Sequence, residues 1–286
     1  MREECNSELF LGRNLMLRST PMPSDTITED YISAGWLLSE MDKAGGRHAY
    51  HYVGGKAVTV GLDSMSFKRP VLIGDLVSIY TEIVRLGRTS LVVRVESRAL
   101  RRGLTNEEKV TEGYFAFVAI DSDRRPVEIT NRSAQKNLLP QARYVGAAAN
   151  AAPPIERVAG NLRIRTIPMP RDTNHMGDVF GGWILSHMDL AGAKTAEAYA
   201  DRYAVTVGIE SMNFHKPVLV GDEVSFYTHV LRTGKTSVMV KVETWARRRH
   251  DLQLEEKVTE GIFSYVSVDK NKRPAPIRDL HAEEIR

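Results

Sequence analysis

The chain has 286 residues, of which 42% are hydrophobic and 26% charged, with a formal net charge of +3 at neutral pH. This length can form two cores of ordinary domain size, and so small a charge neither requires nucleic acid nor excludes an anionic small ligand. The single Cys5 excludes an internal disulfide, which suits a reducing compartment. We find no apolar run long enough to span a bilayer and no secretory leader, and therefore expect a cytoplasmic protein without nucleic-acid or membrane partners.

The first half of the chain predicts one strand, a long helix and then four strands. Residues 14–18 alternate apolar and polar side chains like a short strand, and residues 21–28 are rich in the loop formers Pro, Asp and Thr. A helix is predicted over 34–50, with Ser33 as its N-cap. β-Branched residues and turn signals then predict strands over 56–68, 76–85, 90–100 and 109–121. This order is typical of an antiparallel sheet packed round one helix.

The second half repeats the first at an offset of 147 residues, which aligns Asp189 with Asp42. The sequence AVTVG occurs at both 57–61 and 204–208, and after a slip of one residue near His250 the sequence KVTEG recurs as well. A repeat of this length is typical of a duplicated domain. We predict a first domain, a linker and a second domain, over residues 14–127, 128–160 and 161–277. In the second domain we predict a strand, a helix and four further strands, over residues 161–165, 182–199 and 204–269.

One carboxylate interrupts the apolar face of the second helix. When residues from Gly182 onward are placed at about 100° per residue, the apolar side chains gather on one half of the helix and Asp189 lies at its edge. A carboxylate on a packed face costs free energy unless other groups satisfy it. Asp189 is therefore a candidate for chemistry, with local capping or pairing as the structural alternative.

Both halves resemble the hotdog-fold acyl-CoA thioesterases, and the whole chain resembles the tandem, double-hotdog members of that family. The resemblance rests on DTNHMGDVFGGWILSHMD at 172–189 and ESMNFHKPVLVGD at 210–222, with a weaker copy, LDSMSFKRPVLIGD, at 62–75. It implies an α+β fold with two tandem hotdog domains, each a long central helix wrapped by a curved antiparallel β-sheet. The two domains are then expected to pair as an intramolecular pseudo-dimer.

The resemblance also implies an active site between paired domains, with a helix N-terminus and a preceding Asn from one and a helix carboxylate from the other. The implied catalytic residues are Asp42, Asn174, Gly181 and Gly182. Backbone N–H groups at the helix start would stabilise charge on the thioester oxygen, and glycine there lets the carbonyl approach. Close helix–sheet packing is the structural alternative for the two glycines. Asn174 would donate a further hydrogen bond or hold water, and Asp42 would act as general base or as nucleophile.

The pseudo-equivalent site would combine Ile27 and Ala34 with Asp189. Ile27 has no side-chain donor, and Ala34 places a methyl group where the thioester carbonyl should approach. Loss of one such donor typically costs on the order of a hundredfold in rate. We therefore predict that this second site is inactive.

Coenzyme A carries phosphates, so basic side chains near the site are candidates for binding it. The candidates are Arg88, Arg101, Arg102, His215, Lys216, Lys235, Arg247 and Arg248. Solvated hairpin tips, or a satisfied structural histidine for His215, are the structural alternatives. The histidines show no metal-ligand spacing, so we infer no metal, and no cofactor is expected because coenzyme A is part of the substrate.

The sequence thus predicts an acyl-CoA thioesterase that releases a free acid and coenzyme A. A hotdog hydratase or dehydratase acting on acyl thioesters and a catalytically silent acyl-CoA-binding module stay open as alternatives. Trp36 and Trp183 fall on the polar side of their helices, which indicates a surface covered by another subunit. Together with the family resemblance, they predict a homotrimer of double-hotdog chains.

Overall fold

The computed structural model describes residues 12–26, 31–133, 160–174, 177–210 and 212–277, divided below into a first unit up to residue 133 and a second unit from residue 160. Each unit contains one long helix, α1 (Ala34–Val53) or α2 (Gly181–Ala200). The strands of the first unit are β1 (Asn14–Ser19), β2 (Ala57–Leu62), β3 (Met65–Ser66), β4 (Leu76–Leu86), β5 (Ser90–Leu100) and β6 (Glu108–Ala119). Those of the second unit are β7 (Asn161–Thr166), β8 (Ala204–Ile209), β9 (Met212–Phe214), β10 (Glu223–Thr233), β11 (Ser237–Arg248) and β12 (Asp251–Ser267). Neither described helix is apolar enough over a sufficient length to cross a membrane.

The strands form a single twelve-stranded sheet with the order β1-β4-β5-β6-β2-β9-β12-β11-β10-β7, and β8 pairs with β12 and β3 off this path. The two units join at its centre, where β2 pairs antiparallel with β9 and Gly61 lies opposite Asn213. A second connection pairs β3 of the first unit with β8 of the second. The predicted pseudo-dimer is thus confirmed, with the two sheets continuous across the junction.

The two helices pack against each other as well as against the sheet. Their apolar faces contribute Leu38 and Met41 of α1 and Leu185 and Met188 of α2, all fully buried, to a core that both units share. Burial of each such side chain contributes about 1.5–3 kcal/mol. Because the core is shared, each unit depends on the other for part of its stability.

Glycines allow the helices to approach each other at backbone distance. A Cβ at Gly35 would lie 2.7 Å from the Cα of Ser186, and a Cβ at the aligned Gly182 would lie 2.7 Å from the Cα of Ser39. Both contacts are with backbone atoms, which a rotamer change cannot relieve. The crossing therefore requires glycine at these two positions.

The structure divides the strand predicted over 56–68 into β2 and β3. Chain direction changes at Asp63, whose side chain accepts a 2.7 Å hydrogen bond from the N–H of Ser64. After the break β3 pairs with β8 of the other unit, while the Thr111 hydroxyl of β6 still donates a 2.8 Å hydrogen bond to the carbonyl of Ser66. The second unit repeats the break between β8 and β9, so the prediction of four strands after α2 is wrong, and five are present.

Contacts of the first unit extend beyond residue 127, its predicted end. Ile129 is buried, and its N–H donates a 2.8 Å hydrogen bond to the carbonyl of Arg88. Ile277 makes the aligned bond to Lys235, at 3.0 Å. Residues 134–159 of the predicted linker lie outside the described residues.

The outward position predicted for Trp183 is wrong, because this side chain is only 7% exposed. Its ring centroid lies 4.2 Å from that of His187 and 6.4 Å from that of Phe226 on β10. The sheet curves far enough round α2 to cover this face of the helix. Trp36 is half-buried and packs against the core. The tryptophans therefore give no support to a contact between chains.

We predict that Gly35→Ala lowers the free energy of unfolding by about 2 kcal/mol, because the added methyl forces α1 and α2 apart. Gly46→Ala is the matched control, since a Cβ there would make only an ordinary 3.6 Å contact with Phe117. This control gains helix propensity of about 1 kcal/mol. Urea unfolding of both variants measures the difference, and equal losses would argue against the close crossing.

Candidate active site

Asp42 lies on α1 at the junction of the two units and is 3% exposed. Its Oδ1 accepts a 2.7 Å hydrogen bond from Thr59 Oγ1 on β2. Its Oδ2 accepts a 2.7 Å hydrogen bond from the backbone N–H of Gly182, in the other unit. Since Gly182 lies in the first turn of α2, this carboxylate faces a helix N-terminus, where partial positive charge stabilises an anion.

Asp189 occupies the aligned position on α2 and is completely buried. Thr206 Oγ1 donates to its Oδ1 at 2.6 Å, and the N–H of Gly35 donates to its Oδ2 at 2.8 Å. Ser33 Oγ adds a third hydrogen bond to Oδ2, at 3.0 Å. Asp189 is therefore satisfied by protein groups on both oxygens, and two of its three partners belong to the other unit and not to its local surroundings.

The residue before each helix accounts for this difference. Ser33 is the N-cap of α1, as predicted, and its Oγ accepts a 3.0 Å hydrogen bond from the N–H of Gly35. The aligned N-cap of α2 is Phe180, which has no hydrogen-bonding side chain. Asp42 consequently lacks the third partner that Asp189 has, and it borders an open cavity.

Burial raises the pKa of Asp42, and the hydrogen bonds from Thr59 and Gly182 offset part of that rise. Burial raises the pKa of Asp189 in the same way, against hydrogen bonds from Thr206 and Gly35. A carboxylate whose pKa is raised toward neutrality is a stronger general base than an ordinary aspartate. Only Asp42 combines that property with access to a cavity.

The cavity beside Asp42 has a volume of about 710 Å³ and is lined by both units. The second unit contributes Asn174, Gly181, His215 and Lys216, all of them predicted site residues. The aligned cavity in the other half has a volume of about 300 Å³ and is bordered by Ala34 but not by Asp189. Ile27 lies outside the described residues. Asp42, Asn174 and Gly181 of the predicted cross-domain set therefore border one cavity. Of the described pseudo-equivalent residues, only Ala34 borders the smaller one.

The two glycines of the predicted site have different roles. Gly181 borders the cavity at the start of α2, and a Cβ there would lie 3.2 Å from the Cβ of Thr59. The N–H of Gly182 was expected to face the thioester carbonyl, but it donates to Asp42. Gly182 thus holds the carboxylate in place, and the N–H available to a substrate oxygen is that of Gly181.

A short loop before α2 orients Asn174. Its backbone N–H donates to the carbonyl of Asp178 at 2.8 Å, and its Oδ1 accepts from the N–H of Asp178 at 3.1 Å. Because the amide oxygen is directed into the loop, the donor end of this side chain is its amino group. The arrangement suits donation to a substrate oxygen better than acceptance from a water molecule.

An ion pair between the units, which the sequence analysis missed, holds the same loop. Arg124, in the turn after β6, bonds to the carboxylate of Asp178. Arg124 has a φ of 63°, as does the aligned Lys272, whose ammonium lies 4.7 Å from the ring centroid of Tyr31. The alignment of Arg124 with a second cation was the one available signal. Asp178 Oδ2 is buried without a hydrogen-bond partner among the described residues.

Six of the eight basic residues predicted to bind phosphate lie away from both cavities: Arg88, Arg101, Arg102, Lys235, Arg247 and Arg248. Arg248 is buried, and its guanidinium bonds to Asp222 and Glu256, each at 2.7 Å. Arg247 pairs with Glu223 at 3.0 Å. The part of the chain that the structure describes contains no cluster of His, Cys, Asp or Glu able to hold a metal ion.

Two helix-in-sheet units joined edge to edge, with a carboxylate of one facing the helix start of the other, define a double-hotdog protein. The model of the thioesterase superfamily matches residues 30–105 and 176–252, one stretch in each unit and together more than half of the chain. The chain belongs to this superfamily.

Curated relatives match about one unit each. A Haemophilus influenzae protein named as an uncharacterized acyl-CoA thioester hydrolase is 44% identical over 128 residues, covering 44% of this chain and 83% of its own. The acyl-CoA thioester hydrolase YciA of Escherichia coli is 43% identical over 117 residues, covering 40% of this chain and 89% of its own. Each of these relatives therefore matches about one of the two units of this chain over most of its own length.

Two solved structures are also similar to this chain. A hexameric broad-specificity acyl-coenzyme A thioesterase is 42% identical, with a TM-score of 0.43, and covers 46% of this chain and 89% of that chain. A putative oleoyl thioesterase from Lactobacillus plantarum covers 94% of this chain and 98% of its own, with a TM-score of 0.67 and 10% identity. The second likeness shows the fold alone, and it confirms the double-hotdog architecture.

We predict that Thr59→Val moves the acidic limb of the activity profile to higher pH. The Thr59 hydrogen bond favours the ionised form of Asp42, so its removal raises the pKa of Asp42 further. Because the base must be ionised, activity is then lost at a higher pH as the solution is acidified. The profile of kcat/KM against pH measures the shift.

Thr206→Val is the matched control, since Thr206 makes the same bond to the enclosed Asp189. It should leave the acidic limb where it is. A shift in the Thr206 variant without one in the Thr59 variant would assign the reaction to Asp189.

Proposed function

We propose that this chain is an acyl-CoA thioester hydrolase and that its working site is the cavity beside Asp42. The observation that carries the proposal is the hydrogen bond between Asp42 and the N–H of Gly182. It places a carboxylate of raised pKa at the start of a helix from the other unit, on the wall of a cavity large enough for an acyl thioester. Membership of the thioesterase superfamily and the names of the relatives support the same reaction.

In the proposed reaction, the thioester carbonyl lies at the N-terminus of α2. The Gly181 N–H and the Asn174 amide stabilise the negative charge that develops on its oxygen. Asp42 removes a proton from the attacking water, and the tetrahedral intermediate expels the thiolate, which takes up that proton. The products are a carboxylic acid and coenzyme A. Direct attack by Asp42, giving an anhydride that water then hydrolyses, has the same balance and uses the same residues.

The proposal includes a silent second site. Asp189 is enclosed by three hydrogen bonds and does not reach the smaller cavity. Ala34 carries the methyl group that Gly181 lacks, next to the position where a carbonyl would bind. These two differences act in the same direction, since one removes the base and the other obstructs the oxyanion position.

A hotdog hydratase or dehydratase is less well supported. That chemistry usually pairs a histidine with a carboxylate, whereas the described partners of Asp42 are the hydroxyl of Thr59 and a backbone N–H. His215 borders the cavity but makes no described bond to Asp42. A silent binding module would leave the open position of Asp42 without a role.

Thiol release from acyl-CoAs of graded chain length tests the proposal. We predict turnover by the wild type, a loss of about a hundredfold or more in Asp42→Asn, which removes the base, and a comparable loss in Asn174→Ala. The matched control, Asp189→Asn, should stay near the wild-type rate. Circular dichroism verifies that each variant is folded.

Three other results would contradict the proposal. A crippling effect of Asp189→Asn with a mild effect of Asp42→Asn would move the reaction to the other half. Addition of water to an enoyl-CoA without thiol release would identify a hydratase. Binding of acyl-CoA without turnover would identify a silent module.

We further propose that three chains associate, bringing six hotdog units together. The support is the hexameric thioesterase that is 42% identical to this chain over about one unit. Since each chain already contains two units, three chains supply the same number. Light scattering at micromolar concentration should give three times the mass of one chain, and the mass of a single chain would contradict the trimer.

A further inference from the structure

The cavity beside Asp42 has a larger volume than its counterpart, and the additional space lies along the surface of α1. Six residues that follow Asp42 on this helix line it: Lys43, Ala44, Gly46, Arg47, Tyr50 and His51. No described residue of α2 lines the smaller cavity. The additional space therefore begins at the reacting carboxylate and extends along the helix away from it.

Basic side chains border this additional space at regular intervals. Lys43, Arg47 and His51 are four residues apart, so they form a row about 12 Å long on one side of α1. Arg47 lies about 7.5 Å beyond Asp42 along the helix axis. The second unit contributes Lys216 to the lining of the same cavity, where its ammonium lies 3.3 Å from Glu256.

Lys43 and Arg47 of this row differ in whether they already have an ion-pair partner. The ammonium of Lys43 bonds to Glu40 at 2.7 Å and lies 5.2 Å from the ring centroid of Phe180. The guanidinium of Arg47 has no ion-pair partner among the described residues, and the side chain is exposed at the cavity wall. Arg47 is thus available to an anionic ligand in this cavity.

The duplicated helix does not carry the same row. The residues of α2 aligned with Lys43, Arg47 and His51 are Leu190, Lys194 and Ala198. Lys194 is tied to Glu197 at 2.7 Å. The row of basic side chains is therefore present on the helix of Asp42, which borders a cavity, and absent from the helix of Asp189, which is enclosed.

We propose that Arg47 is the anchor for the phosphate groups of coenzyme A, with Lys216 of the second unit lining the same cavity. This inference rests on the proposed function, because the thioester must lie beside Asp42. The pantetheine arm separates the thioester from the phosphates, which must bind farther along the cavity and close to water, since burial of their charge is costly. Arg47 satisfies both conditions, and its planar guanidinium suits bidentate contact with phosphate oxygens.

The test compares two thioesters with the same acyl group, the coenzyme A ester and the N-acetylcysteamine ester, which has no phosphate. Arg47→Ala should raise KM for the coenzyme A ester by roughly tenfold and leave kcat unchanged, because a charge-assisted phosphate contact is lost. KM for the N-acetylcysteamine ester should not change. Arg47→Lys should restore part of the loss, and Lys194→Ala, the matched control, should alter neither ester.

Calorimetry with coenzyme A alone supplies a readout that needs no turnover, and its affinity should fall in Arg47→Ala but not in Lys194→Ala. An equal rise in KM for both esters in Arg47→Ala, or no rise for either ester, overturns the phosphate subsite. Should the wild type hydrolyse neither ester, the proposed hydrolase fails instead. Calorimetry then decides the subsite by itself, since binding that is independent of Arg47 overturns it and binding that depends on Arg47 supports it.

Discussion

The reciprocal hydrogen bonds between each helix carboxylate and the first turn of the opposite helix are the constraint on which this structure depends. Asp42 bonds to the N–H of Gly182, and Asp189 bonds to the N–H of Gly35. A buried carboxylate without such partners would be strongly destabilising. Neither unit can supply both the acid and the donor at its own helix. The pairing of the units is therefore a requirement for burying these acids as well as a way of enlarging the core.

This exchange is symmetric in the backbone but not in its chemistry. The two helix crossings use aligned glycines, aligned threonines and aligned acids. One residue before each helix, Ser33 or Phe180, decides whether the acid is fully enclosed or borders a cavity. The environment of an acid that occurs at the same position in both units can thus be set by a side chain from the opposite unit. The sequence motif around either acid, taken alone, does not reveal this.

The sequence predicted those parts of the fold that local patterns determine. The periodicity of the helices and the alternation in β5 depend on neighbouring residues, and their predicted positions agree with the structure to within a few residues. The break after Leu62 was missed even though the β-branched run ends at Val60 and Asp63 and Ser64 follow. The pairing of the next strand with the other unit is not visible in the local sequence. Trp183 was misplaced because a helical projection shows polarity but not how far the sheet curves round the helix.

The candidate site, like the fold, could be predicted from the sequence only in part. The duplication identified Asp42 and the start of α2 as candidates, because both lie in motifs that align between the two halves. The ion pair of Arg124 with Asp178 joins residues from different units and leaves no local pattern in the chain. The sequence also did not predict that the Gly182 N–H bonds to Asp42. Gly181 and Gly182 are adjacent, and their roles can be told apart only when the position of Asp42 is known.

Covalent connection of the two units changes how their encounter depends on concentration. In a dimer of separate chains, the shared core and the reciprocal bonds dissociate on dilution. Here the partner is always present at an effective concentration on the order of millimolar, set by the connecting segment and not by the amount of protein. The junction between β2 and β9 therefore forms by a first-order step. The bond between Asp42 and Gly182 at that junction should accordingly survive at dilutions where the same interface between free chains would be mostly dissociated.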